Sequence, residues 1–178
     1  MPGYRMFWRA VRRHCLVAGL TIILPSLPLA LVAGPPDLSF PDLEGKSHSL
    51  SEYVGKGKWT IVNIWGPRCP PCQEELPELV RFHDEHYKID ATMLGIALDY
   101  PSFGDAKVSE VADFAEEYLV EYPILLGNAE IVGKLGGGRI QVMPTTLAYT
   151  PEGELVGVQV GMISQEIVEK FIRNYKPE

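Results

Sequence analysis

Two cysteines separated by two prolines, Cys69-Pro70-Pro71-Cys72, are the residues of this sequence best placed to do chemistry. A thiolate is a nucleophile, and a thiol three residues on can close a disulfide with it when a helical turn lies between. At that spacing the two Cα atoms come about 5 Å apart, within the range a disulfide tolerates. If Cys69 sits at a helix N-terminus, its sulfur faces free backbone N–H groups and the positive end of the dipole. That setting lowers a thiol pKa from about 8.5 to roughly 3.5–7.5. Cys69 is therefore the expected nucleophile and Cys72 the resolving thiol. Pro70 is tolerated in the first turn, because the N–H it lacks would have gone unpaired. A disulfide closing so short a loop removes little chain entropy, so redox work explains the pair better than bracing does.

Zinc needs more ligands than one such pair supplies. The histidines are His14, His48, His83 and His86. His83 and His86 stand three apart, but some three turns beyond the cysteines, and read as a solvated helix end. No metal is expected, and no cofactor beyond the redox-active pair itself. Among the carboxylates after the motif, Glu74 and Glu78 share a face turned to water. Glu75 lies beside Cys72, one turn before Leu79, at the edge of the buried stripe. Partial burial would raise its pKa and suit it to exchange protons with Cys72. On helical phase alone, an exposed first-turn glutamate favoured by the dipole is an equal alternative.

The elements that position these groups follow from periodicity. Trp59–Trp65 (WTIVNIW), bounded by Gly57 and Gly66, has the pattern of a buried strand leading into the motif. From Pro70 to about Tyr87, residues Cys72, Leu76, Leu79, Val80 and His83 fall on one helical stripe, with Pro77 as a kink within it. The pattern predicts a second buried strand over 92–98, a helix over 108–119 and a short strand over 123–126. It also predicts a short helix over 129–135, closed by glycines 136–138. Strands over 145–149 and 155–161 flank Pro151-Glu152-Gly153-Glu154, a hairpin signal. Ser164 starts a last helix with Ile167, Val168, Phe171 and Ile172 as its apolar face, and 35–42 is a linker or short edge strand. This order predicts an α/β fold: a central mixed β-sheet flanked by helices, parallel first and ending in an antiparallel hairpin.

The 178 residues suffice for one domain and a targeting segment. With 46% hydrophobic and 22% charged residues, disorder is excluded as the main state. Arg5, Arg9, Arg12 and Arg13 precede a stretch uncharged from Cys15 to Gly34, the pattern of a signal peptide or signal anchor. Small residues at Ala30 and Ala33 suit cleavage, whereas the length of the apolar run suits a membrane span. Pro25 and Pro28 would break a spanning helix and favour cleavage. The expected division is a segment 1–34 and a folded domain 35–178, periplasmic and either free or tethered to the inner membrane. Cys15 is a passenger of the first segment. Sixteen basic residues, four of them those arginines, face 23 acidic ones, leaving an acidic body. With no basic stripe carrying interleaved aromatics, nucleic acid is excluded as a partner.

The residues IVNIW ahead of the site, CPPCQEELPEL at it, MPTT before the hairpin and the PEGE turn together resemble the TlpA/ResA-like branch of thioredoxin-like proteins. The resemblance spans roughly Asp37 to Lys176. It implies a thioredoxin-like fold with an extra strand–helix insertion after the second central strand, over about 99–128. It implies that Pro144 is cis and faces the disulfide, that Met143 offers backbone hydrogen bonds to substrate, and that Glu75 is the acidic residue such proteins use. Trp65 and Arg68, flanking the motif, complete the expected substrate-binding set. Asn63 stands where thioredoxin itself carries a buried aspartate, so that proton acceptor is missing. Two departures stand out. Arg68 replaces the usual tryptophan, and is expected either to stabilise the Cys69 thiolate by its charge or to point into solvent. Gly66-Pro67 replaces the common Ala-Thr or Ala-Ser.

The activity implied by the resemblance is thiol–disulfide oxidoreduction. The usual direction is reduction, with electrons passed from a membrane thiol carrier to disulfides of periplasmic client proteins in cytochrome c maturation or copper-site assembly. Oxidase or isomerase action is the nearest alternative, because CPPC does not fix direction. A Sco-type metallochaperone needs CxxxC and a downstream histidine, and none follows His86. A peroxidatic cysteine needs a Pro-x-x-x-Thr arrangement that GPRCPPC lacks. A binding module without catalysis is disfavoured by two intact thiols.

Overall fold

The computed structural model describes residues 36–136 and 141–177. The expected targeting segment 1–34, with its anchor and cleavage features, lies outside the described residues, as do Gly137 and Gly138. The chain enters through an antiparallel ribbon of β1 (Ser39–Pro41) and β2 (Ser47–Ser49). Phe40 in β1 is fully buried, so this segment belongs to the domain and is no linker. Next come β3 (Trp59–Trp65), α1 (Pro70–His86), β4 (Ala91–Ala97), α2 (Val108–Glu117) and β5 (Ile124–Leu126). The short helix α3 (Ala129–Val132) runs into a 3-10 turn at Gly133–Leu135, ended by Gly136 at φ 95°. The chain finishes with β6 (Thr145–Tyr149), β7 (Leu155–Val160) and α4 (Gln165–Asn174).

The main sheet has the order β5-β4-β3-β6-β7. β3, β4 and β5 are parallel, while β6 runs antiparallel to β3 and β7 antiparallel to β6. The mixed sheet and the insertion carrying α2 and β5 are therefore present as expected. β3 is central, and every residue from Thr60 to Trp65 is buried, as a strand covered on both faces requires. Its register sets Asn63 opposite Gly95 on β4 and Thr146 on β6.

Helix α1 buries Cys72, Glu75, Leu76, Leu79, Phe82 and His83, and it continues through Pro77. His83 is a correction to the solvated helix end expected there. It is buried, its Nδ1 accepts from the Met93 N–H at 3.3 Å, and its ring stacks on Tyr87. Helix α2 stops short of its apolar pattern because Leu119 adopts φ 55°, which leaves that side chain 75% exposed. In α4, Val168 is buried but Ile167 is 52% exposed, so the apolar face is narrower than the periodicity suggested.

Candidate active site

β3 delivers the chain into the turn Gly66-Pro67-Arg68, and Cys69 is the N-cap of α1. Cys69 and Cys72 form a disulfide with Cα atoms 5.2 Å apart. Both cysteines are buried, while Arg68 and Pro70 on either side of Cys69 are exposed. The free N–H groups expected to face Cys69 are not there. Pro70 and Pro71 carry none, and the N–H groups of Cys72 and Gln73 both donate to the Cys69 carbonyl, at 3.0 and 3.1 Å. What remains to favour a thiolate at Cys69 is the helix dipole. Gln73 fastens the turn to the helix by donating from Nε2 to the Pro67 carbonyl at 2.9 Å.

Glu75 is placed three residues after Cys72, on the same side of α1. Only 3% exposed, it holds its carboxylate between two donors. Asn63 Nδ2 on β3 donates to Oε1 at 2.8 Å, and the Ile163 N–H donates to Oε2 at 2.9 Å. Burial raises its pKa to about 7, against the opposing effect of the hydrogen bonds from Ile163 and Asn63. The buried alternative for Glu75 is therefore the one realised. Glu74 is exposed, whereas Glu78 is half-buried, accepting from the Gln165 N–H at 3.3 Å and pairing with Arg81.

Arg68 neither points free into solvent nor offers an uncompensated charge to Cys69. Its guanidinium pairs with Asp99 and, at 3.5 Å, with Glu110. Asp99 also accepts from the Ser102 hydroxyl, and its backbone closes a loop with Gly104 and Phe103. Both partners hold the Arg68 pKa above its ordinary value, the hydrogen bond to Asp99 foremost. Arg68 thus ties the active-site turn to the loop that begins the insertion. Gly66 is required by the same junction: a Cβ there would lie 2.6 Å from the Leu98 carbonyl oxygen and 3.6 Å from Met143 Cε.

That contact also places the segment carrying Met143 and Pro144 against the active-site turn. The Met143–Pro144 bond is cis, both residues are buried, and the Pro144 carbonyl accepts from the Gly161 N–H at 2.9 Å. Trp65 is corrected. It is 1% exposed, its ring lying 5.0 Å from that of Phe114 and its Nε1 against Gly95, so it is core and not a substrate-facing surface. Sequence reasoning noted Asn63 only for what it lacks, quoted Thr146 only within MPTT, and passed over Ile163. Their link to Glu75 depends on strand register and on a contact between α1 and the residue ahead of α4, which no local pattern encodes.

The chain matches the AhpC/TSA family over residues 34–158. It is 30% identical over 138 residues to the thiol-disulfide oxidoreductase ResA of Halalkalibacterium halodurans, covering 77% of this chain and 72% of that protein. To the ResA of Bacillus subtilis it is 29% identical, covering 80% and 74%. A thioredoxin-family thiol:disulfide interchange protein from Chlorobium tepidum superposes with a TM-score of 0.64 at 26% identity, over 80% of this chain and 97% of the other. A DsbF homologue from Corynebacterium diphtheriae gives 0.67 at 25% identity, over 80% and 87%. With its mixed five-stranded sheet and a Cys-x-x-Cys disulfide at the start of α1, the chain belongs to the AhpC/TSA thioredoxin-like family and is a thiol–disulfide oxidoreductase of the ResA type.

Proposed function

We propose that the protein is exported to the periplasm and reduces disulfides of client proteins through Cys69 and Cys72, with Glu75 as the proton acceptor for Cys72. The observation that carries this reading is the buried carboxylate of Glu75, three residues beyond the resolving cysteine and held at both oxygens. The Cys69 thiolate attacks one sulfur of the client disulfide, forming a mixed disulfide and releasing the other client sulfur as a thiolate. Cys72 then loses its proton to the Glu75 carboxylate. The Cys72 thiolate attacks the Cys69 sulfur, closing the intramolecular disulfide and expelling the second client thiolate. Two electrons pass from the enzyme dithiol to the client, and the electrons reside on the cysteine pair with no other cofactor. A membrane thiol carrier restores the dithiol by the same exchange in reverse order. Clients of the apocytochrome or copper-site type, which present paired cysteines, suit this chemistry.

Equilibration with glutathione buffers, read by thiol alkylation, tests the direction. A reductase should sit nearer the potential of thioredoxin, about −270 mV, than that of the oxidant DsbA, about −120 mV. A value close to the latter would overturn the reductase reading.

A further inference from the structure

Asn63 is fully buried at the centre of the sheet, and its amide uses only one of its two ends. Nδ2 donates to Glu75 Oε1 at 2.8 Å and to Thr146 Oγ1 at 3.1 Å, while Oδ1 has no partner among the described residues. A buried carbonyl oxygen without a donor is costly, by ~1–3 kcal/mol. The arrangement suits an ionised Glu75, which only accepts. When Glu75 takes up a proton, Oε2 still faces the Ile163 N–H, a group that only donates. The proton therefore belongs on Oε1, where it meets the donor end of Asn63.

We propose that Asn63 is a positioning residue that keeps Glu75 hydrogen-bonded in both protonation states by turning over its side-chain amide, with the Thr146 hydroxyl following it. The two ends of an amide are nearly isosteric, so a half-turn brings Oδ1 to the place of Nδ2. Oδ1 then accepts from the new O–H of Glu75, and the Thr146 hydroxyl, which accepted before, donates to it, while Nδ2 moves to the place where Oδ1 had no partner. An aspartate at position 63 could not serve both states, because when ionised it would repel the Glu75 carboxylate. The other titratable groups near Glu75 are the Cys72 thiol, Glu78 on its own helix and the buried Tyr122 phenol ahead of β5, whose pKa the Glu75 charge helps to raise. Among the described residues none of these is hydrogen-bonded to Oε1, which is held by Asn63.

The inference rests on Glu75 changing protonation state during exchange, as in the proposed function, but its test does not use activity. Nuclear magnetic resonance would follow the Asn63 side-chain amide and the Glu75 carboxyl carbon through one pH titration. The expected result is a change of the Asn63 amide signals with the same midpoint as Glu75. Glu75→Gln, whose amide imitates the protonated acid, should fix those signals in their low-pH form at every pH. Asn63→Asp should raise the Glu75 midpoint by ~1 pH unit or more. Thr146→Val, which keeps shape but removes the hydroxyl, should reduce the amide's response and serves if the Asn63 variant fails to fold. Asn63 signals that stay fixed while Glu75 titrates would overturn the inference. Loss of the proposed catalytic role would appear separately, as unchanged exchange rates in Glu75→Gln.

Discussion

The main-chain N–H of Ile163 donates to Oε2 of Glu75 over 2.9 Å, joining the active-site helix to a residue 88 positions further along the chain. Together with Asn63 on the central strand, it holds one carboxylate from two elements that meet only in the folded protein. Stability and proton chemistry at this site are therefore linked.

The first consequence is a pH dependence of stability. The carboxyl of Glu75 ionises near 4.5 when unfolded and at about 7 when folded. A raised carboxyl pKa makes the folded state bind more protons, so stability is full below pH 4.5 and falls as pH rises toward 7. The loss is on the order of 3 kcal/mol. Burial lowers the His83 pKa, which acts in the opposite sense: its contribution falls as pH drops through the ordinary histidine range. Comparing Glu75→Gln with the parent isolates the first effect. Urea denaturation of the oxidised proteins should show the variant gaining relative stability between pH 5 and 8, and a constant difference would argue against a perturbed Glu75.

Exchange kinetics supply the second prediction. Glu75→Gln removes the proton acceptor at nearly constant shape, and the rate of mixed-disulfide resolution should drop by about 10²-fold. Glu74→Gln, on the exposed face of the same turn, should leave the rate unchanged. Equal effects of the two substitutions in a stopped-flow assay would remove the special role of Glu75.

Gly66→Ala tests the junction between the active-site turn and the end of β4. The added Cβ would meet the Leu98 carbonyl oxygen at 2.6 Å, and backbone cannot yield as a side-chain tip does. A destabilisation of ~1–3 kcal/mol is expected, seen as a lower denaturation midpoint. A neutral substitution would show that this junction is looser than the close contact implies.

Arg68→Gln addresses the tether to Asp99 and Glu110. Because its guanidinium is half-exposed and turned onto these two carboxylates, solvent screens its charge at Cys69, and the Cys69 pKa should change little in a thiolate-absorbance titration. Hydrogen exchange of the Asp99, Phe103 and Gly104 amides should instead accelerate. A large rise in the Cys69 pKa with unchanged exchange would restore direct thiolate stabilisation by Arg68.

Much of this site was legible before folding. Strand–CPPC–helix fixed the redox pair, and helical phase placed Glu75 beside Cys72, because both signals are local. What surrounds Glu75 was not legible. Asn63 and Thr146 are neighbours only through the register of β3 and β6, and Ile163 reaches the carboxylate from a bend between β7 and α4. β2 escaped notice because Ser-His-Ser carries no apolar alternation. Trp65 was misplaced because position beside a motif says nothing of which face of the strand a side chain takes; it turned inward onto Phe114. Arg68 was read as a lone charge because Asp99 and Glu110 lie on the far side of β4 in sequence.

The most direct test of the exchange pathway is the Cys72→Ser variant expressed with its natural clients. If Cys69 attacks and Cys72 resolves, this variant should accumulate disulfide-linked adducts through Cys69, and mass analysis should find clients with paired cysteines, such as an apocytochrome or a copper-site subunit. An absence of adducts from Cys72→Ser, with abundant adducts from Cys69→Ser, would contradict the account and reverse the roles of the two thiols.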